Sequence, residues 1–327
     1  MTTITDIAEA LGISPSTVSR ALNQSRIVSP ELSEKVNETA KELGYKKRSI
    51  RRHRGRAILN IKLVLPRHKE PERALFYDLA DLIEGIRSGF KHCGINLLCE
   101  TASPKFKPYP HKKGGDLDGF IFAFNRPTTS TLNELRPVGT PFVVLNREIS
   151  GLPCVASENT KGIADIIEHL KQRRRDLKPA FVSLDGLGQI GEERLAGMVA
   201  ACADHGLPFD PAVDAFHFDG TSSITTEAVR SITEKYNALV CANDIIGTVV
   251  VTEVDRLGIP IPEKVSVTGF DNSPLRKLSR PLLTTVSMPI GKLASTAASA
   301  LESQIIEHKV PEEIVRISGN LMVGESS

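Results

Sequence analysis

Ser14, Pro15, Ser16, Thr17, Ser19, Arg20 and Asn23 fall within ten residues and offer hydroxyl, guanidinium and amide groups. Such groups bond base edges and phosphate oxygens. A second set is dispersed: Arg194, Asn243 and Asp271, with Asn125-Arg126 and Asn146-Arg147, each stand just after an apolar run or open the helix that follows one. An Asp can accept from two vicinal hydroxyls, and an Arg can donate a fork to a carboxylate, phosphate or sugar oxygen. The sequence contains no GxGxxG, Walker A loop, GxSxG or HExxH, and its eight His are scattered. It is therefore read as a non-enzyme without a cofactor or metal site.

The first set needs a helix to present it. Ser14 suits an N-cap and Pro15 the first helical position, and Val18, Ala21 and Leu22 give the helix one apolar face. Before it, Thr3 and Asp6 form a capping-box pattern, Ile4, Ile7, Ala8 and Leu11 form an apolar stripe, and Gly12 ends the segment. Two short helices joined through a Gly turn predict a helix-turn-helix; on pattern alone, a helical hairpin in a small core competes. A third helix is expected over residues 29 to 45, burying Leu11, Val18 and Leu22.

The segments Ile4-Thr5-Asp6-Ile7-Ala8, Gly12-Ile13-Ser14, Thr17 to Asn23, Val28-Ser29, Val36, Ala40 and Leu43-Gly44-Tyr45 together resemble the DNA-binding head of the lactose-repressor (LacI/GalR) family of bacterial regulators. The resemblance implies that Thr5 and the second-helix residues contact DNA. Lys46 to Arg56 follows, with seven basic residues and no acid. A solvated linker is the plain reading, but its place after the head favours phosphate contact, with Arg51 and Arg52 as candidates. In the family this segment is a hinge that becomes a short helix on the operator and inserts an apolar side chain into the minor groove. Arg54 occupies that position here, so either it enters the groove by electrostatics or the hinge bends DNA less.

Charge follows the same division. The 327-residue chain carries a net charge of +2, yet residues 1 to 60 hold 11 Lys/Arg against 6 Asp/Glu, leaving the remainder acidic overall. Five widely spaced Cys without a CxxC pair read as reduced and buried. With no signal-like N-terminus and no apolar run long enough to span a bilayer, the expected location is the cytoplasm, with no membrane partner.

From Ile58 onward, short apolar runs alternate with helical stretches. Strands are expected at 61–65, 95–99, 119–124, 141–145, 180–184, 215–218, 238–242 and 265–269, with helices near 79–93, 162–170, 192–205, 224–235 and 245–257. The pattern predicts parallel sheets covered on both faces, in two doubly wound lobes. Arg194-Leu195-Ala196-Gly197, Ala242-Asn243-Asp244, Gly258 to Asn272 and Pro281 to Val286 extend the resemblance to the periplasmic-binding-protein type I-like body of the same regulators. The resemblance implies effector contacts for Arg194 and Asp271. The competing readings are a surface ion pair of Arg194 with Glu192 or Glu193, and a turn-capping Asp271 ahead of Asn272-Ser273-Pro274. Phe76 and Tyr77 could stack on a ligand ring or belong to the lobe core. Two departures stand out. Pro104, Pro108 and Pro110 replace the usual crossover helix between Cys99 and Gly119 with an expected loop, and the tail from Leu321 lacks an Arg that the family commonly carries.

The expected organisation is a helix-turn-helix head at 1–45, a basic hinge at 46–57 and a two-lobed body at 58–327 for effector binding and dimerisation. The favoured function is a regulator, chiefly a repressor, of a palindromic duplex operator. A carbohydrate bound between the lobes is the preferred effector and a purine or nucleoside the second choice. A transport-type binding protein is the alternative, opposed by the basic head. A homodimer is expected, because one short recognition helix is insufficient and two must stand about one helical turn, ~34–36 Å, apart. Helices 79–90 and 246–257, apolar on more than one face, are the expected contacts.

Overall fold

A computed structural model describes residues 3–22, 28–45, 51–53, 56–67, 77–103, 105–109, 117–309 and 312–327, with the side chains of 51–53 and 56–57 outside that description. Asn23, Arg54 and Phe76 thus lie outside the described residues, as do the side chains of Arg51 and Arg52. The chain divides into two compact units, Met1–Arg67 with Ile86–Cys154 and Ser295–Ile314, and His68–Gly85 with Val155–Ala294 and Val315–Ser327. Among the described residues, no helix is long and apolar enough to cross a membrane.

The head is three helices, α1 (Ile4–Leu11), α2 (Pro15–Leu22) and α3 (Pro30–Glu42). Thr3 and Asp6 close the expected capping box around the first turn of α1, and Gly12 at φ 64° ends it in the left-handed conformation. Ile7, Ala8, Val18, Ala21, Val36 and Ala40 are the buried centre, while Leu11 and Leu22 pack around it only partly covered. The small residues Ala21 and Ala40 let the helices approach, which pushes the larger leucines to the rim.

The first unit then adds β1 (Arg51–His53), β2 (Arg56–Leu65), β3 (Gly94–Thr101), β4 (Gly119–Ala123), α5 (Thr129–Val138) and β5 (Phe142–Leu145), while α4 (Leu79–Gly89) and β6 (Cys154–Ser157) are divided between the units. The described part of the basic segment is strand: Arg51, Arg52 and His53 pair antiparallel with Ile58, Ala57 and Arg56. β2 starts at Arg56, so the sheet takes in the end of the predicted hinge and satisfies its backbone groups by strand pairing. Strands β3, β2, β4 and β5 are neighbours in that order, and all three pairings are parallel. Among the described residues between β3 and β4 there is no helix, as the prolines require. Phe106 and Tyr109 from this stretch instead pack edge-on against Phe122 and Phe120, at 6.4 and 6.0 Å between ring centres.

The second unit holds α6 (Asn159–Arg173), β7 (Pro179–Leu184), α7 (Gln189–Asp204), α8 (Pro211–Asp214), β8 (Ala215–Phe218), α9 (Thr226–Thr233), β9 (Ala238–Cys241), α10 (Asp244–Arg256), β10 (Ser266–Thr268) and β11 (Thr285–Val286). The helix α11 (Ile290–Ile306), whose latter part belongs to the first unit, is followed by β12 (Ile314–Ile317) and β13 (Leu321–Met322). The order β8-β7-β9-β10, parallel throughout, repeats that of the first unit. In each sheet the second strand lies on one side of the first and the third on the other. The carboxyl ends where the order reverses are the crevice that such sheets offer to ligands.

In α10, Ile246, Val250, Val251 and Val254 are buried within its own unit, where the helix packs on the sheet and on the turn Pro274–Leu278, while Val249 is only partly buried. Of the free cysteines, Cys154, Cys202 and Cys241 are buried as expected, Cys93 is half-buried, and Cys99 is exposed on edge strand β3.

Candidate functional site

In the head, the second helix presents its polar residues outward. Val18 and Ala21 are fully buried, whereas Ser14, Pro15, Ser16 and Arg20 are exposed and Thr17 and Ser19 half-exposed. Ser14 caps the helix, its hydroxyl accepting from the Thr17 amide at 3.1 Å, and lies 2.7 Å from the Ser16 hydroxyl and 2.8 Å from that of Thr17. Three hydroxyls and the Ser16 amide at a helix N-terminus make a surface suited to a phosphate, with Arg20 one turn further on. Thr5 differs: its hydroxyl donates to the Pro137 carbonyl at the end of α5, 3.3 Å away.

At the carboxyl edge of the second sheet, two predicted residues, Arg194 and Asp271, converge. Gly197 on α7 sits where a Cβ would come within 2.9 Å of the Thr160 Cα, so α7 lies tight against α6 and brings Arg194 to the first residue of α6. Arg194, 2% exposed, donates from Nε to Asn159 Oδ1 at 3.0 Å, from one terminal nitrogen to the Ala242 carbonyl at 2.5 Å and from the other to Asp271 Oδ1 at 2.7 Å. Its guanidinium also stacks 3.8 Å from the centre of the Phe270 ring. Neither Glu192 nor Glu193 pairs with it; the Glu193 carboxylate accepts from the Asn159 side chain instead. Asp271 is buried, at φ 101°, and its amide and carbonyl are held by Val286 and Met288. With Asn272 at φ 52° beside it, two consecutive non-glycine residues are in the left-handed half of backbone space, which costs about 1–3 kcal/mol each.

The sequence reading passed over Asp244, the first residue of α10. It is wholly buried, and its two oxygens accept from the Thr285 hydroxyl and the Ser273 amide, each at 2.5 Å. Burial, with the Asp271 carboxylate nearby, pushes its pKa up to about 7. Its signal was present in the sequence as an Asp directly after a strand. The neighbouring Asn243 drew attention instead, but its Oδ1 caps α10 by accepting from the Ile246 amide at 2.9 Å. Asn243 is thus a buried helix cap, and only its amide nitrogen remains for other duties.

The candidates of the first unit are engaged with the backbone. Asn125 donates 2.8 Å bonds to the carbonyls of Val64 and Ala123, tying β2 to β4 where the strand order reverses. Arg126 is exposed and reaches the Glu148 carbonyl, Asn146 is buried at φ 55°, and Arg147 donates to the Asn146 carbonyl at 2.6 Å. Tyr77 is half-buried in the bend before α4. A pocket of about 170 Å³ opens at the ends of β7 and β8, lined by Ser183, Asp185, Gly188, Glu192 and His217 among others.

Residues 3–47 match the family described as bacterial regulatory proteins, lacI family, and residues 168–327 match the periplasmic binding protein-like domain. The chain belongs to the lacI family. Like other lacI-family members it is a DNA-binding transcription regulator and not an enzyme. Over its whole length the chain is 28% identical to the ribose operon repressor of Halalkalibacterium halodurans, covering 97% of that protein. Its fold resembles that of the regulator CelR in a cellobiose complex, with TM-score 0.68, 23% identity and all of both chains covered. It also resembles a lacI-family regulator from Enterococcus faecium with bound ribose, with TM-score 0.65, 22% identity, and 82% of this chain and 98% of that one covered.

Two outcomes are expected. Arg20→Ala should weaken binding to a specific operator by about 1–3 kcal/mol and relax preference at one base pair per half-site, read by competition binding; equal loss on random duplex would make Arg20 a phosphate contact. Folded Asp244 holds its proton to higher pH than the unfolded chain does, so its contribution to stability is complete in acid and is lost as pH rises through about 7. Asp244→Asn cannot titrate, so its stability relative to the parent should rise between pH 5 and pH 8 in chemical denaturation. The opposite slope would mean that Asp244 is ionised in the fold.

Proposed function

We propose that this protein is a sugar-responsive repressor that binds a palindromic operator as a homodimer, with Arg194 and Asp271 supplying effector contacts. The observation that carries the effector reading is the pair itself. Three of the five Arg194 N–H groups are used, and among the described residues Asp271 Oδ2 has no hydrogen-bond partner. Two donors and one acceptor, fixed side by side at a carboxyl edge, suit the alternating donor and acceptor character of vicinal hydroxyls. Sugar is also the theme among its relatives, which include ribose and sucrose operon repressors. The dimer follows from the head: α2 is one short helix of 8 residues, and palindromic recognition needs two.

Differential scanning fluorimetry with D-ribose, sucrose and cellobiose tests the reading. A ligand at 100 times its dissociation constant adds about 2.7 kcal/mol and should raise the melting temperature. Arg194→Ala and Asp271→Asn should each erase that rise while leaving operator binding without sugar intact. Retention of the rise in both variants would remove these residues from the effector site. Light scattering of the free protein should return twice the chain mass at micromolar concentration, and a monomer or tetramer would overturn the dimer.

A further inference from the structure

The loop that carries Asp271 does not hold itself. Asp271 and Asn272 both stand at positive φ, and neither is glycine. What fixes them comes from two other elements. From β11, the Val286 carbonyl accepts from the Asp271 amide at 2.8 Å, and the Thr285 hydroxyl accepts from the Asn272 amide at 3.3 Å. From α10, Asp244 receives the Ser273 amide on one oxygen and the Thr285 hydroxyl on the other, and its own amide donates to the Phe270 carbonyl at 2.8 Å. Asp244 therefore grips the loop on both sides of Asp271, and it does so through the same hydroxyl that holds Asn272. Gly269 leaves the room this requires, since a Cβ there would overlap the Asp244 carboxylate.

We propose that Asp244 is the positioning residue of this half-site: with Thr285 as intermediary, it holds the Asp271–Asn272 turn in its left-handed form and so keeps the Asp271 carboxylate on Arg194. Asp244 touches neither Arg194 nor any candidate ligand group by a hydrogen bond; its influence passes through backbone amides and one hydroxyl. The proposal rests on the reading of Arg194 and Asp271 as effector contacts for its functional meaning, but its geometry can be tested without any effector.

The test uses the full chain labelled with ¹⁵N-arginine. The Arg194 Nε–H is buried, bonded to Asn159 and stacked on Phe270, so it should give a slowly exchanging signal displaced by the ring. Thr285→Val keeps the shape of the side chain and removes the hydroxyl; Thr285→Ser keeps the hydroxyl and removes the methyl. Thr285→Val and Asp244→Ala should accelerate exchange of the Arg194 signal by about tenfold or more and shift it, whereas Thr285→Ser should leave it close to the parent. Amide protection in β9, Ala238–Cys241, should stay as in the parent, marking the effect as local.

An unchanged Arg194 signal in Thr285→Val overturns the proposal, and so does a pattern in which Val is tolerated and Ser is not, since that is the signature of packing. Equal loss of protection in β9 and at Arg194 overturns it as well, because Asp244 would then stabilise the fold as a whole. If Asp244→Ala fails to fold, the Thr285 pair still decides. Silence of every sugar in the fluorimetry screen, with the Arg194 signal behaving as expected, would instead sink the effector reading and leave the positioning role standing.

Discussion

The second unit is arranged around one buried guanidinium. Taking Arg194 out of water carries a desolvation penalty of several kcal/mol, and its interactions have to offset that. Asp271 supplies the countercharge, Asn159 and the Ala242 carbonyl take two further N–H groups, and Phe270 gives the cation an aromatic face. These partners come from the start of α6, the end of β9 and the turn after β10, so the charge fixes three chain segments against α7. Removing a single partner of such a pair typically costs about 3–5 kcal/mol, because the other charge stays buried and unpaired. The surrounding glycines follow from the same demand. At Gly162 a side chain would run into the Phe270 ring that supports the cation, and at Gly197 it would push α7 off α6.

Parallel strands impose a second constraint. Each strand of a doubly wound sheet must turn sharply at its carboxyl end to enter the next helix, and those ends are where ligands gather. Here the turn is made by residues at positive φ: Phe124 after β4, Asn146 after β5, and Asp271 with Asn272 after β10. Side chains at such corners serve the backbone first, and Asn125 and Arg147 both do so. Arg194 and Asp271 stand apart from this group because their polar atoms answer each other and retain unused bonding capacity. Such a pair is held in shape by the fold itself.

The head obeys a simpler rule. Its small core, built on Ile7, Val18 and Val36 with alanines between, leaves the outer face of α2 free of structural duties. The hydroxyls of Ser14, Ser16 and Thr17 satisfy one another at its N-terminus and remain open to solvent. Recognition chemistry can be concentrated there because the folding chemistry is confined to the other side of the helix.

Local chemistry written in the sequence determined the head almost completely. Capping residues, a left-handed glycine and a 3.6-residue apolar period act within one or two turns, so the Thr3–Asp6 box, the Gly12 stop and the exposed face of α2 were all legible. The alternation of buried strands and helices also fixed the doubly wound class, and the prolines near residue 104 fit the lack of a helix among the described residues between β3 and β4. Other features were less visible. The long helix α11 is rich in alanine and serine, and β6, β12 and β13 are only two to four residues each, too short to show a period. The site depended on tertiary structure most of all. Arg194 and Asp271 were recognisable as types at strand ends, but that they answer each other was settled by the fold, across 77 residues of chain. The adjacent Asn243 and Asp244 were divided by the same means. One faces its own helix end and becomes a cap, while the other faces a turn delivered from residue 273 and a strand delivered from residue 285. Sequence supplies the donors and acceptors; which of them meet is decided by packing, because partners so far apart leave no local pattern to read.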